Sequence, residues 1–491
     1  MNSKLTVPAT LLALLASACV LGPNYKEPAL KPGVGFAVAT PTLGGKDQQF
    51  SPADAVPERW WQQFGSPALN GWVDEALANN PSLASAEAAL RRAQQLQIAT
   101  GATALPSVNA AFNAARRKTS GASNGGKFSG SIFNLFDASV NVSYGLDLFG
   151  GVARTREAEA AAVDFQAYQA RGAGLSIAGN VVTSAIALAQ AQAEQAATLT
   201  ITEGYRHTAA LVQTQFRLGG IAKADVLSAQ TLLAASEARL PALQQQVTVA
   251  QNRLAAYLGR FPSEFSASGF DLAALQLPAR LPLSLPSALA RQRPDVAAAS
   301  AQLHQAAALV GVAEANRYPA ITLTASAGTQ AASFTDLFDQ MIFSAAAGVT
   351  QPLFNAGRLK ANQRAAEAAY EAAQADYKTT LIHAFGEVGN VLAALQADAQ
   401  TLAARESAAG LAAESLRLAR LRYQTGSSTL LTVLDAQRND ETARLNLVAA
   451  KGSRLADTAA LYTALGGGLS LDNVAAARAG GTAPHQPEAP R

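Results

Sequence analysis

Residues able to do chemistry are few in this chain of 491 residues, and they are scattered. The four histidines, His207, His304, His383 and His485, lie far apart, and no His/Cys/Asp cluster has metal-ligand spacing. No phosphate-cradling glycine loop and no nucleophile motif occurs. The expectation is a protein that is not an enzyme and that uses no cofactor and no metal. The net charge of +3 is too small a field to draw nucleic acid, which is not expected as a partner. The single thiol, Cys19, excludes an intramolecular disulfide. It is also the one residue whose setting suggests a reaction. It follows Lys4, an apolar run over 5–15 and the small residues Ala16, Ser17 and Ala18. A basic start, an apolar core and small residues before a cleavage point make 1–18 a signal peptide.

Leu15-Ala16-Ser17-Ala18-Cys19 resembles a bacterial lipoprotein signal, with Ala16 standing where leucine is preferred. The resemblance implies cleavage before Cys19 and a covalent lipid on it. Several acyl chains anchor a protein stably where one is marginal. An ordinary secreted protein with a spare thiol is the alternative. Past the signal no apolar run reaches ~20 residues, the length a membrane helix needs.

The elements that would position any site occur twice. "KADVLSAQT" (223–231) and "LLTVLDAQR" (430–438) are near-copies 207 residues apart, and Gly219/Gly426 and Leu258-Gly259/Leu465-Gly466 keep that offset. Pro81/Pro294 and Pro106/Pro319 pair at an offset of 213. Repeat 1 therefore spans 69–259 and repeat 2 spans 287–466. The proline-rich stretch 260–286 is a linker, 19–68 an N-terminal segment, and 467–491 a tail expected to be disordered. Each repeat reads as a helix stopped by proline, two alternating stretches, a very long helix, a glycine turn and another helix. No proline interrupts 107–240 or 353–483. A helix from Gly151 to Phe216 would run for about 100 Å. Leu381, Val388, Leu395, Leu402, Ala409, Leu416 and Tyr423 recur every seven residues, as do Val226, Leu233, Leu240, Val247 and Leu254, which predicts coiled-coil-like packing. Pro241 predicts a kink in the helix over 223–258.

Four stretches alternate with period two. In 136–148, Phe136, Ala138, Val140, Val142, Tyr144, Leu146 and Leu148 share one face, opposite Asp137, Ser139, Asn141 and Ser143. The stretches 321–328 and 341–349 alternate likewise, and 107–118 more weakly. They form two hairpins, about 107–148 and 320–352. Strands of ~9–11 residues with one apolar and one polar face suit a membrane barrel; a soluble sandwich is the alternative. A membrane sheet must close, and known barrels start at about eight strands. Four strands per chain then imply sharing among two, three or four copies.

"CVLGPNYKEP" (19–28), "ERWWQQFGSPALNGWVDEALANNPSL" (58–83), "LDLFGGVARTREAEAA" (146–161), "RPDVAAASAQLHQA" (293–306), "QPLFNAGRLKANQRAAEAAYEAA" (351–373), "RYQTGSSTLLTVLDAQR" (422–438) and "LYTALGGG" (461–468) resemble, in order, the outer-membrane factor lipoproteins of the TolC/OprM/NodT type. The resemblance implies an α+β membrane protein. A long antiparallel α-helical barrel would join a transmembrane β-barrel shared among three chains, all built from two internal structural repeats. It implies a homotrimer in the outer membrane, in contact with its lipid and extending into the periplasm. As an exit duct it would work with a periplasmic membrane-fusion adaptor protein and, through it, an inner-membrane pump of the RND type. A type I protein secretion duct is the alternative use of the same scaffold. By the same resemblance the adaptor docks at the turns Arg217-Leu218-Gly219-Gly220 and Thr425-Gly426-Ser427-Ser428. Leu431 forms an apolar ring and Asp435 an acidic ring at the narrow periplasmic end, with Arg438 and Tyr423 tying neighbouring helices shut. A local Asp435–Arg438 pair, three residues apart, competes with that tie.

Overall fold

Alternation and heptad spacing resolve into two kinds of element in the computed structural model, which describes residues 20–29, 48–51, 56–119, 131–267, 269–283 and 292–467. The expected lipidation site Cys19, the expected signal 1–18, nearly all of the tail, much of the segment 19–68 and positions 268 and 284–286 of the linker lie outside the described residues. In chain order the elements are β1 (Gln49–Ser51), α1 (Pro67–Asn79), α2 (Pro81–Ala102), β2 (Ser107–Lys118), β3 (Ile132–Leu146), α3 (Gly151–Arg217), α4 (Lys223–Glu237), α5 (Leu240–Leu258), β4 (Arg280–Pro282), α6 (Pro294–Ala315), β5 (Ala320–Ala331), β6 (Met341–Thr350), α7 (Arg358–Gln424) and α8 (Leu430–Ala464). They fall into two units, one of Met1–Pro28, Ala89–Gln166 and Ala298–Lys378, the other of Ala29–Ala88, Ala167–Ala297 and Thr379–Arg491.

The first unit holds an antiparallel sheet in the order β2-β3-β5-β6. Each hairpin pairs with itself, and β3 joins β5 from Phe136↔Ala331 to Leu146↔Ile321. Strand β3 begins before the expected 136 and ends before 148. Asp147 leaves it to accept a 2.7 Å hydrogen bond from the Ala153 amide, satisfying a free N–H in the first turn of α3. The segment 20–28 is docked in the same unit. The Leu21 amide bonds the Phe149 carbonyl at 3.3 Å. Buried Arg154 donates to the Leu21 and Gly22 carbonyls at 2.9 and 3.1 Å, to Asn24 Oδ1 at 2.8 Å and to Glu157 at 2.7 Å. Tyr25 stacks on His304 at 4.4 Å, and His304 meets Glu157 at 2.9 Å. Burial pushes the Glu157 carboxyl up, but the bonds from His304 and Arg154 outweigh it and hold it low. Gly22, at φ +87°, lies so close to Gly311 that a Cβ would stand 2.3 Å from its Cα.

The second unit is helical. Its core gathers Trp60, Phe64, Leu69 and Val73 with Val181, Ile186 and Leu188 of α3, Leu254 and Leu258 of α5, Val388 and Leu392 of α7, and Leu461 and Tyr462 of α8. Trp60 stacks on Tyr462 at 5.3 Å. Strand β1 runs parallel to β4, with Gln49 opposite Arg280. The helices α3 and α7 have 67 residues each, and none of the heptad positions named above is exposed. Two expectations need correction. Pro241 breaks the helix rather than kinking it, because α4 ends at Glu237 and α5 restarts at Leu240; without an N–H, proline cannot continue the ladder. Helices α3 and α6 also contain 18-residue windows apolar enough to cross a membrane. About half of each window is buried in the protein, so the apolar character also serves packing.

Candidate gate and helix turns

The turns at 217–220 and 425–428 are the same backbone built twice. Gly219 and Gly426 adopt φ +81° and +75°, which side chains with a Cβ resist. The Gly220 amide reaches the Gln215 carbonyl at 2.9 Å, and the Ser427 amide reaches that of Arg422 at 2.8 Å. Each bond closes the end of a long helix on a left-handed glycine. The side chains differ. In the first turn Arg217 donates to Thr214 Oγ1 at 3.2 Å, and Leu218 is 82% exposed. In the second, Thr425 and Ser427 both donate to the Arg422 carbonyl, at 3.0 and 3.1 Å. Ser428 does not cap α8. The cap position is Thr429, whose side chain makes no capping bond, and Ser428 Oγ is buried with no hydrogen-bond partner among the described residues.

Helix α8 then divides its residues. Leu430, Val433, Leu434, Ala436 and Gln437 are buried, which turns Leu431, Asp435 and Arg438 to the open side. Spacings of four and seven residues put those three on one stripe. Leu431 is 62% exposed, and Asp435 pairs with Arg438 locally, about half of each side chain remaining accessible. Tyr423 is not on this stripe. It lies against the Val212–Val226–Leu430 cluster and donates to Gln215 Oε1 at 2.6 Å, a tie to α3 of its own chain.

Sequence reasoning missed three groups in the helical unit. Gln437 donates to Thr208 Oγ1 at 3.0 Å and ties α8 to α3, as Tyr423 ties α7 to it. Tyr205 and Arg239 both reach Glu441; the kink expected at Pro241 was the only local signal. Asp398 lies beside Asp457, and burial together with that carboxyl pushes it up to about 6. Among the described residues no group of three or more His, Cys, Asp or Glu is placed to hold a metal ion.

Open-edged strands with long helix pairs ending in glycine turns are the parts of a channel chain. The solved outer-membrane channel OprN is similar, with 27% identity and a TM-score of 0.84 over 91% of this chain and 99% of that one. So is the open state of the MtrE outer membrane channel of Neisseria gonorrhoeae, with 27% identity and a TM-score of 0.81 over 92% and 99%. The fold is that of an outer-membrane channel chain. The model of the outer membrane efflux protein family matches residues 72–260 and again 285–467. The pyoverdine export outer membrane protein OpmQ of Pseudomonas putida is 32% identical over 480 residues, 96% of this chain and 99% of its own. The cation efflux system protein CusC of Escherichia coli is 27% identical over 460 residues, 93% and 97% of the two chains. The chain belongs to the outer membrane efflux protein family, and it is an outer-membrane exit duct for efflux.

Proposed function

We propose that this chain is one of three that form the exit duct of a tripartite efflux system. The duct passively conducts small molecules from a periplasmic adaptor and an inner-membrane pump, of the RND type, to the exterior. The sheet carries this reading. Strands β2 and β6 each have one partner within the chain, so each leaves an edge without one among the described residues. Val108, Phe112, Phe343 and Val349 stand exposed on them. Lipid cannot satisfy an open edge, so β6 of one copy pairs with β2 of the next. Three copies make a twelve-stranded barrel, within the known range of eight strands upward. The doubled family match supports two structural repeats, 69–259 and 287–466. The relatives' names cover pyoverdine export and cation efflux, which favours small cargo over secreted proteins.

In this reading the two glycine turns take the adaptor. The acylated Cys19 holds the segment 19–68 to the membrane. Leu431 lines an apolar constriction that resists wetting, and Asp435 lines an acidic ring that attracts cations and repels anions. Arg438 tempers that charge, and Tyr423 holds the turn against α3. The test is the conductance of the purified protein in planar bilayers. The wild type forms narrow, cation-preferring channels. The double variant Leu431→Ser/Asp435→Ala conducts severalfold more and loses cation preference. Unchanged conductance and selectivity in the double variant overturns the gate, and absence of channels from the wild type overturns the duct.

A further inference from the structure

Helix α8 carries a third acid, Glu441, two turns beyond the Leu431–Asp435 stripe. Both of its oxygens are taken. Tyr205 Oη of α3 donates to Oε2 at 2.8 Å, and the guanidinium of Arg239, at the break between α4 and α5, donates to Oε1. Tyr205 is 2% exposed and the Glu441 side chain only 13%, whereas half of Arg239 reaches solvent. Burial raises the Tyr205 hydroxyl, and the Glu441 carboxylate raises it further, so it stays a donor at any physiological pH. The break made by Pro241 leaves Arg239 between two helices, where its Nη1 donates to the carboxylate. One carboxylate therefore joins α3, the α4–α5 joint and α8.

Nothing equivalent exists in the other copy of the repeat. At the 207-residue offset, Glu441 corresponds to Ala234, Tyr205 to Ala412 and Arg239 to Asn446. Neither alanine can donate or accept through its side chain, so the junction cannot form there. The chain builds it only on the helix that carries Asp435, whose counterpart in the other copy is Ser228. Packing common to both copies does not account for a polar junction confined to one.

We propose that Tyr205 and Arg239 latch α8 through Glu441, and that this latch positions Leu431 and Asp435 at the constriction. The inference rests on the gate reading above. All three are positioning residues, acting through the helix and not on the cargo. Losing either donor leaves an oxygen of a largely buried carboxylate unsatisfied, which favours a shifted α8 in which that oxygen meets water. The beginning of α8 then moves with it.

The test compares Tyr205→Phe, which keeps the ring and removes the donor, with Arg239→Gln at a half-exposed position that does not threaten folding. Each is measured as single-channel conductance, alone and in the Leu431→Ser/Asp435→Ala background, beside the thermal midpoint of the oligomer in detergent. The expected result is a severalfold rise in conductance for Tyr205→Phe and a smaller rise for Arg239→Gln. Neither adds to the rise in the gate-deleted background. A lower midpoint with unchanged conductance makes the junction structural and overturns the latch while the gate stands. A rise that adds fully to the gate variant places the effect elsewhere and also overturns it. If Leu431→Ser/Asp435→Ala itself changes nothing, the gate reading fails first and the latch fails with it.

Discussion

Removing one side chain, Arg154, should undock the segment that follows Cys19. Arg154 makes three bonds to that segment, to the Leu21 carbonyl, the Gly22 carbonyl and Asn24 Oδ1, at 2.8 to 3.1 Å. Its side chain is only 3% exposed, so these bonds compete little with water. A hydrogen bond from a charged donor contributes about 1.5–3 kcal/mol. The three do not add in full, because the released carbonyls regain water, and Glu157, 30% exposed, keeps some solvent of its own. A cost of about 3 kcal/mol for Arg154→Ala is a balanced figure, equivalent to about a hundredfold shift toward the undocked segment. Hydrogen–deuterium exchange of a peptide covering Leu21 reads that shift directly, since the Leu21 amide is held by the Phe149 carbonyl. Its exchange should accelerate by about two orders of magnitude, while β2 and β3 exchange as in the wild type. Arg154→Lys keeps the charge but loses the fork, and should give an intermediate acceleration. Exchange within a few fold of the wild type in Arg154→Ala would show that the Tyr25–His304 stack and the Gly22–Gly311 contact suffice, and would refute the clamp.

Other consequences can be measured in the purified oligomer. Asp398 has its folded pKa raised to about 6, above its unfolded value, so its contribution to stability is full below about pH 4 and is lost as pH rises through 6. Asp398→Asn should therefore melt above the wild type at pH 7.5 and lose that advantage at pH 4.5; parallel melting curves would refute the pairing with Asp457. Trp60 is fully buried, and its Nε1 has no hydrogen-bond partner among the described residues, so its value is packing alone. Trp60→Ala should cost about 3–5 kcal/mol, and Trp60→Phe, which leaves no orphaned donor, much less; equal losses in urea unfolding would contradict this. Arg293 bonds the Ala464 carbonyl at 2.7 Å and also pairs with Asp295 and Glu387, whose side chains are about half exposed. Arg293→Met should cost only about 1–2 kcal/mol, the carbonyl bond dominating because both acids return to water; a loss twice that size in thermal melts would mean that the acids are held more tightly than their exposure implies.

Local periodicity made the elements legible. Alternation over 136–148 and 341–349 falls on β3 and β6, and the seven-residue spacing falls on the buried faces of α4, α5 and α7. Period two and period seven are properties of one segment, written in its own residues. The end of β3 was misplaced because the role of Asp147 depends on an amide six residues ahead, which alternation does not encode. The pairing of β3 with β5, and of Tyr205 with Glu441 across 236 positions, had no local signature. Leu431, Asp435 and Arg438 were picked out by the family resemblance, and their common stripe follows from spacings of four and seven once the helix is placed. The orientation of Tyr423 was not, because it depends on Gln215, 208 residues away.

The doubled sequence therefore has two layers of content. The shared letters specify a backbone: the same turn, with the same glycine φ and the same closing hydrogen bond, ends α3 and α7. Such equivalence suits packing, because identical turns and heptads allow alternate helices to meet in the same way around a ring. A ring of identical units has no preferred place to close. The changed letters supply one. Ser228 becomes Asp435, Ala234 becomes Glu441, and the partners of Glu441, Tyr205 and Arg239, stand opposite Ala412, which has no polar group, and the uncharged Asn446. All of these differences converge on α8 or on groups that touch it. Helix α8 is distinguished from its copy by an acid in its second turn, Asp435 in place of Ser228, and by a polar junction two turns on, so on the gate reading it is the helix of the pair whose position is set separately. If the changed positions were neutral drift between two copies, they would scatter over both helices, and swapping Ala234→Glu into α4 would leave conductance as unaffected as removing Glu441 from α8. The asymmetry predicts the opposite: loss of Glu441 opens the duct, while an acid at position 234, with Ala412 in place of the tyrosine and the shorter, uncharged Asn446 in place of the arginine, finds no charged partner and restores nothing.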